Sequence, residues 1–240
     1  MRKVAFFVEG WAESYFVERL IQEMAGQQKI TTKITTRFDS GNALEIIEAS
    51  QTLDEIERRF FIQIVNCEND EKVISSIFDN MDSLITSGFC MIVGLRDLYP
   101  LHRSRLDAVL KSFRSFKDKC CPPTMPCHLV VAVMEIEAWF IAEVKHFQVM
   151  NGKLSVKVVK QKLGIKNDFI DFEKIDHPSQ KLNDIYKVAL KKGYTKKKEL
   201  LKKIVYCLDF DDLYNSIGSR SKSLRQLFSH AELIFESGPK

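Results

Sequence analysis

The chain has 240 residues, 45% of them hydrophobic and 17 of them Phe, enough for one large domain, or a domain with an appendage, around a substantial core. No run of about 18 uncharged apolar residues occurs, and Glu9 and Glu13 interrupt any apolar N-terminal segment. These features argue against a membrane-spanning helix and a secretory signal, and set the expectation of a cytoplasmic protein with no membrane partner. The net charge of +4 conceals an asymmetry: 17 basic against 21 acidic residues up to Met150, net −4, and 19 against 11 from Asn151 onward, net +8. An acidic part suits metal binding and a basic part suits a polyanion.

In chain order, Val4–Val8 is a continuous apolar strand, followed after Glu9-Gly10 by a helix whose Phe16, Val17, Leu20, Ile21 and Met24 recur at helical spacing until Gly26. Ile30–Phe38 reads as a second strand closed by Asp39-Ser40-Gly41, and Ala43–Ile56 as a helix. Phe60–Cys67 is a strand, Lys72–Leu84 a helix, and Gly88–Leu95 the most apolar strand, ending before Arg96-Asp97. Arg103–Lys119 predicts a helix, Cys120–Cys127 with its three prolines a loop, His128–Met134 a strand and Glu135–Phe147 a helix. Strands that are apolar throughout and alternate with helices predict an α/β fold with a mostly parallel, Rossmann-like sheet covered by helices. Beyond Asn151 only helices are expected, at Leu154–Leu163, Pro178–Leu190, Lys196–Leu208 and Arg220–Phe235. The expected organisation is therefore a metal-binding α/β core over 1–150 and a basic helical C-terminal subdomain over 151–240.

Six cysteines are few for this length, and Cys67 and Cys90 lie in apolar runs, so the thiols are expected to be reduced and mostly buried. Cys120, Cys121, Cys127 and His128 lie close in sequence but form no CxxC pair, which makes a zinc site the weaker reading.

Three strands lead into acids: Glu9 after the first, Asp97 after "GFCMIVGL", and Glu135 with Glu137 after "HLVVAVM". In open α/β sheets ligands bind outside the carboxyl ends of the parallel strands, so these acids are candidates for one crevice. Carboxylates gathered together repel unless a cation compensates, and Mg²⁺ or Mn²⁺ suits an all-oxygen ligand set. Such a site serves phosphodiester chemistry, where a metal ion activates water and a second, about 3.5–4 Å away, neutralises the leaving oxygen. Transition-state charge then calls for a cation, for which Lys181, Lys196, Lys197 and Lys198 are candidates, with Arg96 offering a planar fork for an acid or phosphate. His102 is a candidate phosphate contact, Trp139 a packing residue, and Trp11 either a packing or a base-stacking residue.

The segments "VEGWAESYFVERLI", "GLRDLYP" and "EIEAWFIAE" resemble the Toprim superfamily, the metal-binding fold of topoisomerases, bacterial primases and overcoming-lysogenization-defect nucleases. Within it the chain looks most like the standalone Toprim-like family of unknown function encoded among bacterial defence genes, and "HPSQKLNDIYKVALKKGYTKKK" resembles that family's helical C-terminal part. The resemblance implies that Glu9 is a general acid or base or assists metal binding, that Glu13 is the second acid of the opening helix, and that Asp97 is a metal ligand. The second aspartate of the DxD element is replaced by Tyr99, leaving Glu135 and Glu137 to complete the metal set.

The resulting expectation is a Mg²⁺-dependent nuclease or related phosphodiester-transfer enzyme acting on nucleic acid, with DNA the expected substrate and phage defence the expected setting. Glu9, Asp97, Lys181 and Lys197 carry the chemistry; Glu9, Glu13, Asp97, Glu135 and Glu137 hold the metal; Arg96, Lys196 and Lys198 bind nucleic acid. The alternative is a catalytically weak module that binds nucleic acid or serves as adaptor to a separately encoded ATPase, since no phosphate-cradling glycine loop occurs in the chain.

Overall fold

The computed structural model describes residues 1–26, 28, 30–36, 46–51, 60–164 and 171–236. Six strands, β1 (Arg2–Val8), β2 (Ile30–Thr36), β3 (Ile46–Gln51), β4 (Phe60–Asn66), β5 (Phe89–Asp97) and β6 (Cys127–Ala132), form one sheet in the order β3-β2-β4-β1-β5-β6. Strands β2, β4, β1 and β5 are parallel neighbours. Strand β6 continues the parallel set, since Ile92 N–H donates to Pro126 O and, further along both strands, Leu98 N–H donates to Ala132 O. The α/β class with a mostly parallel sheet is thus what the continuous apolar runs predicted: Val4 to Val8 are all fully buried, with both faces of β1 covered.

Helix α1 (Trp11–Ala25) packs against β1, β2 and β4, and α2 (Asp70–Asp79) against β1. After β1 the chain is carried to β2 on one side of the sheet order, whereas after β5 it proceeds to β6 on the other. The winding changes direction between the adjacent strands β1 and β5, the position at which sheets of this kind open a crevice at their carboxyl ends.

Several boundaries differ from the sequence reading, each for a local reason. The Ala43–Ile56 segment contains strand β3 rather than a helix, pairing antiparallel with β2 from Thr31↔Gln51 to Thr35↔Ile46; 43–45, 52–56 and the expected turn at 39–41 lie outside the described residues. The exposed ladder of β2 offers backbone partners, the Ile46-Ile47 pair favours extended backbone, and apolar spacing alone cannot separate the two states in so short a segment. The expected Lys72–Leu84 helix is divided at Asn80, whose side chain donates to Ser76 O at 2.7 Å, into α2 and α3 (Met81–Thr86). Strand β5 runs on through Arg96 and Asp97 instead of ending before them. A 3₁₀ turn at Arg103–Arg105 precedes α4 (Leu106–Cys120).

The expected Glu135–Phe147 helix is two, α5 (Glu137–Ala142) and α6 (Lys145–Met150), broken at Glu143. The Glu143 carboxylate accepts from the N–H groups of Lys145 at 2.9 Å and His146 at 3.0 Å, so it starts the second helix in the way an N-cap does. From there the described chain is helical, as expected: α7 (Val156–Leu163), α8 (Pro178–Tyr186), α9 (Lys198–Cys207), the single turn α10 (Phe210–Asp212), a π turn at Leu213–Ile217, and α11 (Lys222–Glu236). The chain divides into two compact units. The first comprises Met1–Arg96, Ser104–Val131 and Ser229–Lys240, and the second Asp97–Arg103 and Ala132–Phe228.

The cysteines are free as expected, but only Cys67 and Cys127 are buried; Cys90, Cys121 and Cys207 are half-buried and Cys120 is exposed. In the first unit the ring of His128 on β6 stacks on that of His230 on α11, centroids 4.1 Å apart. Burial lowers the His128 pKa to about 4, with His230 and Lys117 adding repulsion, and burial likewise lowers His230.

Two measurements check this packing. A Cβ on Gly94 of β5 would lie 2.8 Å from Leu129 Cδ1 and 2.9 Å from Ile77 Cδ1, both buried, so Gly94→Ala is expected to cost about 1–3 kcal/mol in urea unfolding. Because the folded state disfavours protonated His128, the unfolded chain binds more protons below its ordinary value of 6.5. The part of the stability set by His128 is expected to fall as pH drops from 6.5 toward about 4 and to change no further below, so the overall fall across that range is shallower in His128→Phe.

Candidate functional site

In the first unit the register pairs Val8 with Leu95, so Glu9 and Arg96 follow at the same carboxyl edge, next to Asn66, which pairs with Val8 from the other side. Glu9 is half-buried and Arg96 is buried. Gly10 opens α1 in extended backbone (φ −155°), a conformation any residue adopts, so the turn itself does not require glycine. A Cβ on Gly10 would stand 3.3 Å from Glu13 Oε2, so a larger residue there must shift the Glu13 carboxylate, buried at 3% exposure, by a few tenths of an ångström. The start of α1 is also fixed by Ser14, whose N–H and hydroxyl both donate to Gly10 O, at 3.0 and 2.7 Å. Sequence reasoning passed over Glu18, equally buried on α1, which accepts from Thr32 Oγ1 at 3.3 Å, and Asn66. The polar residue closing "FFIQIVN" was the available signal for Asn66.

The second unit holds the remaining acids. Strand β5 ends at Asp97 and the chain then runs beside the segment leaving β6, with Leu98 N–H donating to Ala132 O at 3.0 Å and Tyr99 N–H to Met134 O at 2.8 Å. Asp97 Oδ1 accepts the N–H of Ile136, the residue between Glu135 and Glu137, at 2.8 Å. The three acids are therefore brought onto one small stretch of backbone, and all are buried, at 3%, 6% and 0% exposure. Met134, just ahead of them, has φ +66°, a left-handed backbone that costs a side-chain-bearing residue and is concentrated at functional turns.

Each acid faces a different donor. Glu135 accepts from the first turn of α8, Ser179 N–H at 2.9 Å and Ser179 Oγ at 2.8 Å, where helix-end N–H groups favour negative charge. Glu137 Oε1 accepts Tyr194 O–H at 2.8 Å and lies 3.3 Å from Lys196 Nζ. Glu137 Oε2 is buried and has no donor. Among the described residues no group of three or more His, Cys, Asp or Glu side chains stands in a metal-holding arrangement. Hard carboxylate oxygens remain available, however, and ligating carboxylates are themselves held by hydrogen bonds of the kind seen at Asp97, Glu135 and Glu137.

Of the predicted cations, Lys196 reaches these acids, its ammonium group 3.3 Å from Glu137 Oε1. Lys197 and Lys198 are exposed at the start of α9, and Lys181 is half-buried in the first turn of α8. Tyr99 is 41% exposed with its ring edge-on to His177, centroids 6.0 Å apart, and Trp139 is buried.

A second polar cluster went unread in the sequence. Glu143 and His146 are fully buried; His146 Nδ1 faces the Glu143 carbonyl and lies 3.3 Å from Glu143 Oε2. His146 Nε2 and the Tyr186 hydroxyl are buried without a partner, their rings 6.4 Å apart. Burial, with Cys207 and Glu143 adding negative charge, raises the Tyr186 pKa and keeps its phenol neutral. The E-x-x-H spacing was the available signal, hidden by reading one continuous helix.

A family model described as Domain of unknown function (DUF4276) matches residues 8–218. The chain belongs to the DUF4276 family. No curated protein and no solved structure matches it significantly. The matched span of this DUF4276 chain includes Glu9, Glu13, Asp97, Glu135 and Glu137 together with their donors Ser179, Tyr194 and Lys196.

The Tyr194 hydroxyl serves a carboxylate with no access to water. Tyr194→Phe is expected to destabilise the fold by about 1–3 kcal/mol in chemical unfolding, and conservative repacking around the ring will not recover it, because the loss is a hydrogen bond to buried charge.

Proposed function

We propose that this DUF4276 chain is a Toprim-like, Mg²⁺- or Mn²⁺-dependent nuclease of the cytoplasm, acting on DNA. The observation that carries the reading is Glu137: a carboxylate with no exposure and an oxygen lacking any donor calls for added positive charge, and Asp97 and Glu135 lie on the same stretch of backbone. Asp97, Glu135 and Glu137 supply the hard oxygen atoms that a divalent cation takes, each held by a donor of its own, Ile136, Ser179 and Tyr194, although among the described residues they do not stand together as a ligand group. Asp97, Glu135 and Glu137 are the residues that would hold such an ion, and one or two carboxylates are the usual protein share of a Mg²⁺ site.

The chemistry supplied by such an ion is polarisation of water and neutralisation of charge on the scissile phosphate. Two further roles follow the resemblance alone: Glu9 as general acid or base or an aid to metal binding, and Glu13 as the second acid of the opening helix; Arg96 is a phosphate contact by its planar fork. Lys181 and Lys197 neutralise the transition state, while Lys196 and Lys198 guide the nucleic acid strand, with Lys196 also balancing Glu137.

A second reading is favoured by one feature: Tyr99, where the resemblance implies a second aspartate, contributes no carboxylate. It is that of a nucleic-acid-binding adaptor working with a separately encoded ATPase. Incubating supercoiled plasmid with the full chain and Mg²⁺ or Mn²⁺ separates the two. The nuclease is expected to nick plasmid only with metal, to slow about 100-fold in Glu9→Ala or Asp97→Ala, and in Glu137→Gln to bind Mn²⁺ more weakly by electron paramagnetic resonance. Retained DNA binding with no metal-dependent cleavage assigns the adaptor role.

A further inference from the structure

In the first unit the connection from α4 to β6 reads Cys121-Pro122-Pro123-Thr124-Met125-Pro126-Cys127. Both of its ends are pinned. The Cys121 N–H donates to Lys117 O at 2.9 Å as the helix closes, and Pro126 O accepts the Ile92 N–H of the neighbouring strand at 2.9 Å. Between them Met125 N–H donates to Pro122 O at 2.9 Å, folding the loop back on itself, and the prolines restrict it further. The fold-back brings the side chains of Cys121 and Cys127 near enough to act on each other's ionisation. Cys127 is buried at 1% exposure, Cys121 is half-buried and therefore reachable by a small oxidant, and the adjacent Cys120 is exposed.

We propose that Cys121 and Cys127 form an oxidation-sensitive thiol pair that closes to an intramolecular disulfide across the proline loop. Hydrogen peroxide is the oxidant in this scheme. The Cys121 sulfur attacks one peroxide oxygen, the O–O bond breaks, and the products are Cys121 sulfenic acid and one water. The Cys127 sulfur then attacks the Cys121 sulfur, and the departing hydroxide takes the Cys127 proton to leave as a second water. Two thiols lose two electrons and two protons, and one peroxide becomes two waters.

The pair is a slow responder rather than a catalytic thiol. Burial raises both thiols above their ordinary value, for Cys127 with the neighbouring Cys121 raising it further, so little thiolate is present at neutral pH. Closure depends on sustained exposure and quickens in alkali. The prolines and the two pinned ends hold the sulfurs together beforehand, which limits the entropy lost when the bond forms.

The test exposes the full chain to hydrogen peroxide at several pH values, then counts free thiols and maps cross-linked peptides by mass. The expected result is loss of two of the six thiols, a Cys121–Cys127 cross-link lighter by two hydrogens, and reversal by dithiothreitol. The rate should rise about tenfold per pH unit while Cys121 remains mostly protonated. Cys121→Ser and Cys127→Ser should each abolish the cross-link, Cys120→Ser should leave it, and Cys127→Ser should trap a dimedone-reactive sulfenic acid at Cys121 that reports on chemistry even if the disulfide cannot form. A cross-link through Cys120, or conversion of Cys121 to sulfinic acid with no cross-link in the parent chain, overturns the proposal.

Discussion

The hydrogen bond from the Ile136 amide to Asp97 Oδ1 ties the end of a central strand to the turn that carries two further acids, and the second unit is organised around it. A carboxylate taken out of water costs several kcal/mol unless donors replace its hydration. Asp97, Glu135 and Glu137 meet that requirement with donors from three different places: the turn itself, the first turn of α8, and the loop before α9. Their need for partners thus holds four segments in register. Residues proposed for chemistry are also fasteners of the fold, which is why metal binding by Glu137→Gln has to be read beside its folding stability.

The same rule governs Glu143. Its carboxylate ends α5 and starts α6 by accepting two backbone amides, which places His146 with one ring nitrogen against the Glu143 carbonyl. The other ring nitrogen, Nε2, and the neutral phenol of Tyr186 are both buried without a partner. The helical part of the chain therefore has a polar interior as well as an apolar one.

What was legible in the sequence followed from burial on both faces. Strands β1, β4, β5 and β6 are apolar without alternation because little on them meets water, and that pattern survives without tertiary knowledge. Strand β3 was not legible, because its extended state is set by the edge it pairs with rather than by its own spacing. The acids were found from their places at strand ends, but their donors come from distant segments and have no local signature. Ser179 and Tyr194 lie in stretches that the family resemblance flagged without giving them a role.

Helix α11 starts among residues of the second unit and finishes among those of the first. His128 consequently finds its stacking partner, and Phe60 its edge-on contact with Phe235, only after roughly a hundred or more further residues have been made. During synthesis the sheet's apolar surface beneath that helix must wait uncovered while the whole helical unit emerges, so the nascent chain is most vulnerable to aggregation late rather than early. Permuted chains that deliver the closing helix before the sheet would shorten that interval.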